Sequence, residues 1–216
     1  MKIKYLKRII LVCFIYSFAL TGCKKSNVEV PEIPFPITVY PTSYTAKFAM
    51  KMFVGGVEIT DAGKITKFMA NVPANYTSTD LLSKFPASYT FTSKDSLKFS
   101  ANNNFFVAKT NDRYVITYLT TSSTNPVNPL VDYEKFFVFQ TKAVPNGSTV
   151  NITRQFAAYG NYSNFKVSVL NYKYRKPNIN NVTAYGLATN EFDPTTVSKL
   201  GPTDTLAVQE FFIDYK

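Results

Sequence analysis

From Tyr44 onward the chain alternates. Tyr44, Ala46, Phe48, Met50 and Met52 take one side, while Thr45, Lys47, Ala49 and Lys51 take the other. A period of two marks a half-buried β-strand. Gly55-Gly56 separates this run from Val57-Glu58-Ile59, a two-residue hairpin signal, and Asp61-Ala62-Gly63 marks a further turn. Ile65 to Met69 fits either a strand or one short helical turn. The better helix signal is Thr79 to Phe85, opened by a Ser78/Thr79 cap and stopped by Pro86.

Between Ala87 and Ser122 the runs Tyr89–Thr92, Ser96–Phe99, Phe105–Lys109 and Arg113–Leu119 all favour strand. Turn residues part them: Ser93-Lys94-Asp95, Asn102-Asn103-Asn104 and Asn111-Asp112. Connections this short force antiparallel neighbours, because parallel pairing needs a crossover of about a dozen residues. A polar stretch from Ser122 to Pro129 follows. Phe136 to Val144 then enters a turn at Pro145-Asn146-Gly147-Ser148 and leaves through Thr149 to Phe156. Asn-Gly between apolar runs is a strong hairpin signal. Phe165–Tyr174 and Thr205–Tyr215 read as strands, with a looser region around Asn178 to Pro202 between them. About nine short strands at regular spacing predict one all-β domain over residues 44–216. The expected architecture is a single antiparallel β-barrel, up-and-down and lipocalin-like, or a β-sandwich, with one short helix.

The first residues follow a different pattern. Lys2, Lys4, Lys7 and Arg8 form a basic start, Ile9 to Leu20 is a nearly unbroken apolar run, and Leu20-Thr21-Gly22-Cys23 closes it. This is the layout of a secretory signal over residues 1–22. The run is well short of the roughly 20 apolar residues that span a bilayer. Leu20-Thr21-Gly22-Cys23 resembles the lipobox of bacterial envelope lipoproteins. The resemblance covers the leader alone. It implies cleavage after Gly22 and acyl chains on Cys23, the expected lipid-attachment residue and the protein's membrane contact. Two or three chains would hold it lastingly, at ~0.8 kcal/mol per buried CH₂. Lys24-Lys25-Ser26-Asn27 lacks the Asp that such lipoproteins use for inner-membrane retention and the acids some use for surface export. The expected address is therefore the outer membrane, on its periplasmic side.

Residues 23–43 hold Pro31, Pro34, Pro36 and Pro41. Proline at that density favours extended chain, here a tether reaching roughly 60 Å. Its last part could serve as an edge strand.

The whole chain has 216 residues, 24 basic and 14 acidic groups, and a net charge of +10. Losing residues 1–22 removes four basic groups and no acid, which leaves about +6. There is no His and no Trp, and Cys23 would be the mature chain's one cysteine. That composition excludes a His general base, a Ser-His-Asp or Cys-His nucleophile and a Cys/His zinc site. No cofactor is expected.

Three patterns remain as candidate chemistry. Tyr172-Lys173-Tyr174-Arg175 interleaves aromatic and cationic side chains, and could grip an anionic glycan or lipid headgroup. Nucleic acid is not an expected partner of an exported protein. The bland reading packs Tyr172 and Tyr174 inward with the cations in water. Asp132 and Glu134, two apart, would share a face of a strand and could cooperate in hydrolysis or hold Ca²⁺; solvated acids are the ordinary alternative. Asp95-Ser96-Leu97 and Asp204-Thr205-Leu206 resemble an O-glycosylation pattern of exported bacterial proteins. Phe and Tyr, 19 and 15 in number, either fill the core or line a ligand cavity. The function these features imply is a non-enzymatic, membrane-anchored envelope protein that binds a ligand, glycan or protein partner. A structural or adhesive part of an envelope assembly, and a carboxylate-based hydrolase, are the alternatives.

Overall fold

A computed structural model describes residues 34–72, 81–100, 103–110, 112–123, 132–177 and 181–216. In chain order its elements are β1 (Ile37–Val39), β2 (Pro41–Ala46), β3 (Lys51–Val54), β4 (Val57–Ile59) and helix α1 (Ala62–Met69). Then come β5 (Tyr89–Ser93), β6 (Ser96–Ser100), β7 (Asn103–Lys109), β8 (Tyr114–Ser122) and β9 (Lys142–Asn146). The last four are β10 (Thr149–Asn161), β11 (Asn164–Lys176), β12 (Val182–Ala188) and β13 (Thr205–Tyr215). They form one antiparallel sheet in the order β1-β5-β6-β7-β8-β10-β11-β13-β3-β4, an open path with β1 and β4 at its ends. The domain is all-β with one short α-helix, as the strand periodicity predicts.

The local signals that held are those in which the turn carries its own chemistry. Gly55 and Gly56, at φ +56° and +87°, join β3 to β4. Gly147, at φ +61°, opens the β9–β10 turn. Both hairpins need left-handed residues, which glycine supplies without steric cost. The meander β5 to β8 follows the expected order and pairing.

Other elements differ from expectation. The α-helix is Ala62–Met69, because the Asp61 carboxylate accepts the Lys64 amide at 3.0 Å and caps the first turn. Leu82–Lys84, inside the expected helix, makes a single 3₁₀ turn, and residues 73–80 lie outside the described residues. The last part of the expected tether does enter the sheet, as the edge-strand reading allowed: residues 37–39 and 41–43 belong to β1 and β2, and Pro41 begins β2, where no ladder amide is required of it. Asp132–Phe136 is a 3₁₀ turn, and the strand expected from Phe136 begins only at Lys142. The region read as loose contains β12, which pairs along residues 170–176 of β11. Its Gly186 accommodates the Tyr172 ring: a Cβ there would stand 3.4 Å from the phenol oxygen.

Two edges are shared, and this positions the cavity described below. β10 pairs with β11 only over residues 158–161, and its first residues, 149–153, pair with β9 on that side. β11 meanwhile takes β12 over residues 170–176. The sheet therefore forks between β10 and β11.

The paired strands β11 and β13 serve two cores on opposite faces. Their register runs unbroken from Phe165 opposite Tyr215 to Arg175 opposite Thr205. At one end Phe165, Val167, Val169, Ile213 and Tyr215 face a core shared with Tyr89, Phe91, Leu97, Phe105, Ile116 and Phe156. At the other end Leu170, Tyr172, Tyr174, Leu206 and Val208 face a second core with Phe136, Phe137 and Phe192. Alternation puts the odd-numbered set and the even-numbered set on different sides of the ribbon. A strand covered first on one face and then on the other reads as a continuous apolar run.

The hairpin from β10 into β11 carries the most constrained glycine. Gly160 has φ +116°, and a Cβ there would lie 2.4 Å from the Asn164 carbonyl oxygen. Gly160→Ala is expected to cost about 2–3 kcal/mol in chemical denaturation. Gly147→Ala, whose Cβ would meet nothing within 4 Å, should cost about 1 kcal/mol.

Candidate functional site

The fork opens a cavity of about 500 Å³. β8 supplies Tyr118, β10 supplies Arg154 and Gln155, and β11 supplies Tyr172, while Tyr133 and Phe137 come from the segment ahead of β9. The rings are fixed against one another. Tyr133 stacks on Tyr172 at 4.9 Å between centroids, and Phe137 meets the same ring edge-on at 5.3 Å. On the far side Tyr118 packs against Phe105 at 5.1 Å. Tyr89 is buried at the cavity floor, and that burial raises its phenol well above the usual tyrosine range.

Several polar groups of the lining are already engaged. Both carboxylate oxygens of Glu134 accept from Thr141, one from the amide at 2.8 Å and one from the hydroxyl at 3.0 Å. The Asn190 amide donates to the Phe139 carbonyl at 2.6 Å and accepts the Phe139 N–H at 3.0 Å. Gln155 donates to the Thr117 hydroxyl. The Glu134–Thr141 and Asn190–Phe139 bonds hold the irregular segment 133–141 over the fork. Arg154 is different. Half-buried and opposite Tyr118 in the ladder, its guanidinium has no hydrogen-bond or ion-pair partner among the described residues. Five donors directed into a ring-lined cavity suit a carboxylate or another oxyanion.

The strand alternation divides the sequence-level candidates. Tyr172 lines the cavity, and Tyr174 is fully buried with its hydroxyl donating to Asp204 at 3.0 Å. Lys173 and Arg175 point to the other face of β11, toward α1. There the Lys173 ammonium donates to the Phe68 carbonyl and lies 4.8 Å over the Phe68 ring, with the Arg175 guanidinium 5.9 Å from the same ring. Burial, and then the Arg175 charge, hold the Lys173 amine below the usual lysine range. Cys23, the expected lipid-attachment residue, lies outside the described residues. Glu134 sits in a 3₁₀ turn rather than on a strand, so spacing by two no longer gives it a common face with Asp132. Thr205 is buried and Ser96 is half-buried.

Sequence reasoning missed Arg154, Tyr133 and Phe137. Nothing local distinguishes them: they meet only because β10 and β11 part. It also missed a half-buried network, in which Arg113 bonds Glu191 at 2.7 Å and the Tyr159 hydroxyl donates to the same carboxylate. Burial, assisted by that bond, pushes the Tyr159 phenol up to about 12. Among the described residues no group of three or more Cys, Asp or Glu is gathered as a metal site, and no helix is long and apolar enough to cross a membrane.

Comparison with protein families, curated proteins and solved structures finds no match.

Proposed function

We propose that this is a non-enzymatic, lipid-anchored envelope protein whose β domain binds a small acidic ligand with a stackable face, such as an acidic sugar unit. The anchor rests on the lipobox-like Leu20-Thr21-Gly22-Cys23, and the same motif, followed by Lys24-Lys25, supports an outer-membrane, periplasm-facing address. The binding role rests on one observation above all: the Arg154 guanidinium, unpartnered among the described residues, in an aromatic-walled cavity of about 500 Å³. Rings such as Tyr133 and Tyr118 offer faces for stacking, and Arg154 offers a charge-assisted bond. Such a bond contributes about 1.5–3 kcal/mol, roughly 10- to 100-fold in affinity.

Calorimetric titration with acidic monosaccharides and oligosaccharides, beside their neutral counterparts, tests the reading. The acidic members should bind selectively, and Arg154→Ala should weaken them about 10- to 100-fold while leaving the melting temperature nearly unchanged. Binding of neutral and acidic sugars alike, unaffected by the substitution, would remove the cavity from consideration. A scaffold role within an envelope assembly is the second reading, supported by Phe106, Leu119 and Val144, each about 60% exposed on β7, β8 and β9.

A further inference from the structure

Lys173 and Arg175 leave the cavity side of β11 and meet two further cations. Lys64 and Lys67 of α1 stand with them around a hollow of about 670 Å³, bordered by Thr183 and Tyr185 of β12. Among the described residues no carboxylate lines it, and none of the four cations has an acid within ion-pairing distance. Lys173 is only 6% exposed. Its ammonium is held in place by the Phe68 carbonyl and ring, and its nearest charged neighbour on the strand has the same sign. Like charges gathered without a counter-charge repel, and burying one of them adds a desolvation cost. Both costs are offset when an anion occupies the hollow.

We propose that this hollow, between α1 and the β11–β12 edge, binds a ligand carrying phosphate groups. Four cations call for more than one negative charge. A phosphate monoester brings about −1.5 to −2, with three strong acceptor oxygens, whereas a carboxylate brings one. The two exposed helix lysines and Arg175 supply mobile donors around the fixed Lys173, and the Thr183 hydroxyl is within the same lining. The volume is enough for a diphosphate or a phosphorylated sugar. Its source is either a soluble phosphorylated molecule or the headgroup of a phosphorylated glycolipid, which present the same chemistry. The site lies on the opposite face of β11 from the Arg154 cavity and does not depend on that cavity having a ligand.

The full chain, held in nonionic detergent micelles at constant ionic strength, is titrated with inorganic pyrophosphate and with a diphosphorylated glycolipid in the same micelles. Saturable 1:1 binding of pyrophosphate is expected, weakened at least tenfold by the double substitution Lys64→Glu/Lys67→Glu and unchanged by Arg154→Ala. Both helix lysines are exposed, so this variant should keep its far-UV circular dichroism. Lys173→Met should also abolish binding; should that variant not fold, the helix pair decides. Glycolipid binding at least tenfold tighter than pyrophosphate supports the headgroup source, and equal or weaker binding supports the soluble one. The proposal is overturned if pyrophosphate binds no better than chloride at matched ionic strength, or if the helix pair can be reversed in charge without effect.

Discussion

Phe165→Ala is expected to destabilise the domain by about 3–5 kcal/mol, read as a lower denaturation midpoint with an unchanged slope. Phe165 is fully buried. Its ring lies parallel to Tyr215 at 5.2 Å and meets Phe91 and Tyr89 at 5.4 and 5.7 Å. Truncation removes the transfer free energy of a large apolar group and leaves a void that three ring-bearing neighbours on two strands cannot close without leaving their rotamers. Phe165→Leu, which refills most of the volume, should cost less than about 2 kcal/mol. Phe106→Ala is the control, because Phe106 is 61% exposed and should lie within about 0.5 kcal/mol of the parent. Equal effects at positions 165 and 106 would mean that the first core is not closed around Phe165.

The second large effect belongs to a buried charge. Glu210 is 1% exposed on β13. One of its oxygens accepts from the Lys47 ammonium at 2.9 Å and from the buried Ser168 hydroxyl, and the other from the Phe192 amide at 3.4 Å. Glu210→Ala leaves the Ser168 hydroxyl and the Phe192 amide without an acceptor, and opens space beside Leu170. The cost should be about 3–4 kcal/mol. Lys47 limits the damage, since its side chain is 42% exposed and can return to water. Glu210→Gln keeps the shape and one acceptor, and should cost about half as much. The order Ala worse than Gln separates loss of acceptors from loss of charge; equal costs would show that the ion pair with Lys47, which both substitutions remove, dominates.

Much of this architecture was legible because its instructions are local. Period-two alternation and a Gly-Gly, Asn-Gly or Asn-rich turn both act within a few residues, so β3–β4, β5 to β8 and β9–β10 follow from their own sequences. What was not legible depends on partners distant in sequence. β12 is rich in Asn, Thr and Gly at its flanks and reads as loop, yet it forms because β11 has an unpaired edge once β10 departs. The α-helix stands at Ala62–Met69, where a single Asp61 cap outweighed the Gly63 that argued for a turn, whereas Leu82–Lys84 of the expected helix makes a 3₁₀ turn. The candidate site divides in the same way. Tyr172, Lys173, Tyr174 and Arg175 stood out as a patch, but alternation sends the tyrosines and the cations to opposite faces. Arg154 became visible only as a side chain with no partner among the described residues.

β13 follows every other strand in chain order, yet it lies in the interior of the sheet, flanked by β11 on one edge and by β2 and β3 on the other. Synthesis must therefore pass Thr205 before either core can seal, and the earlier pieces have no shared scaffold to settle on until then. The keystone is made after the stones it locks: a chain halted ahead of Thr205 would hold its hairpins but lack the ribbon on which both cores rest.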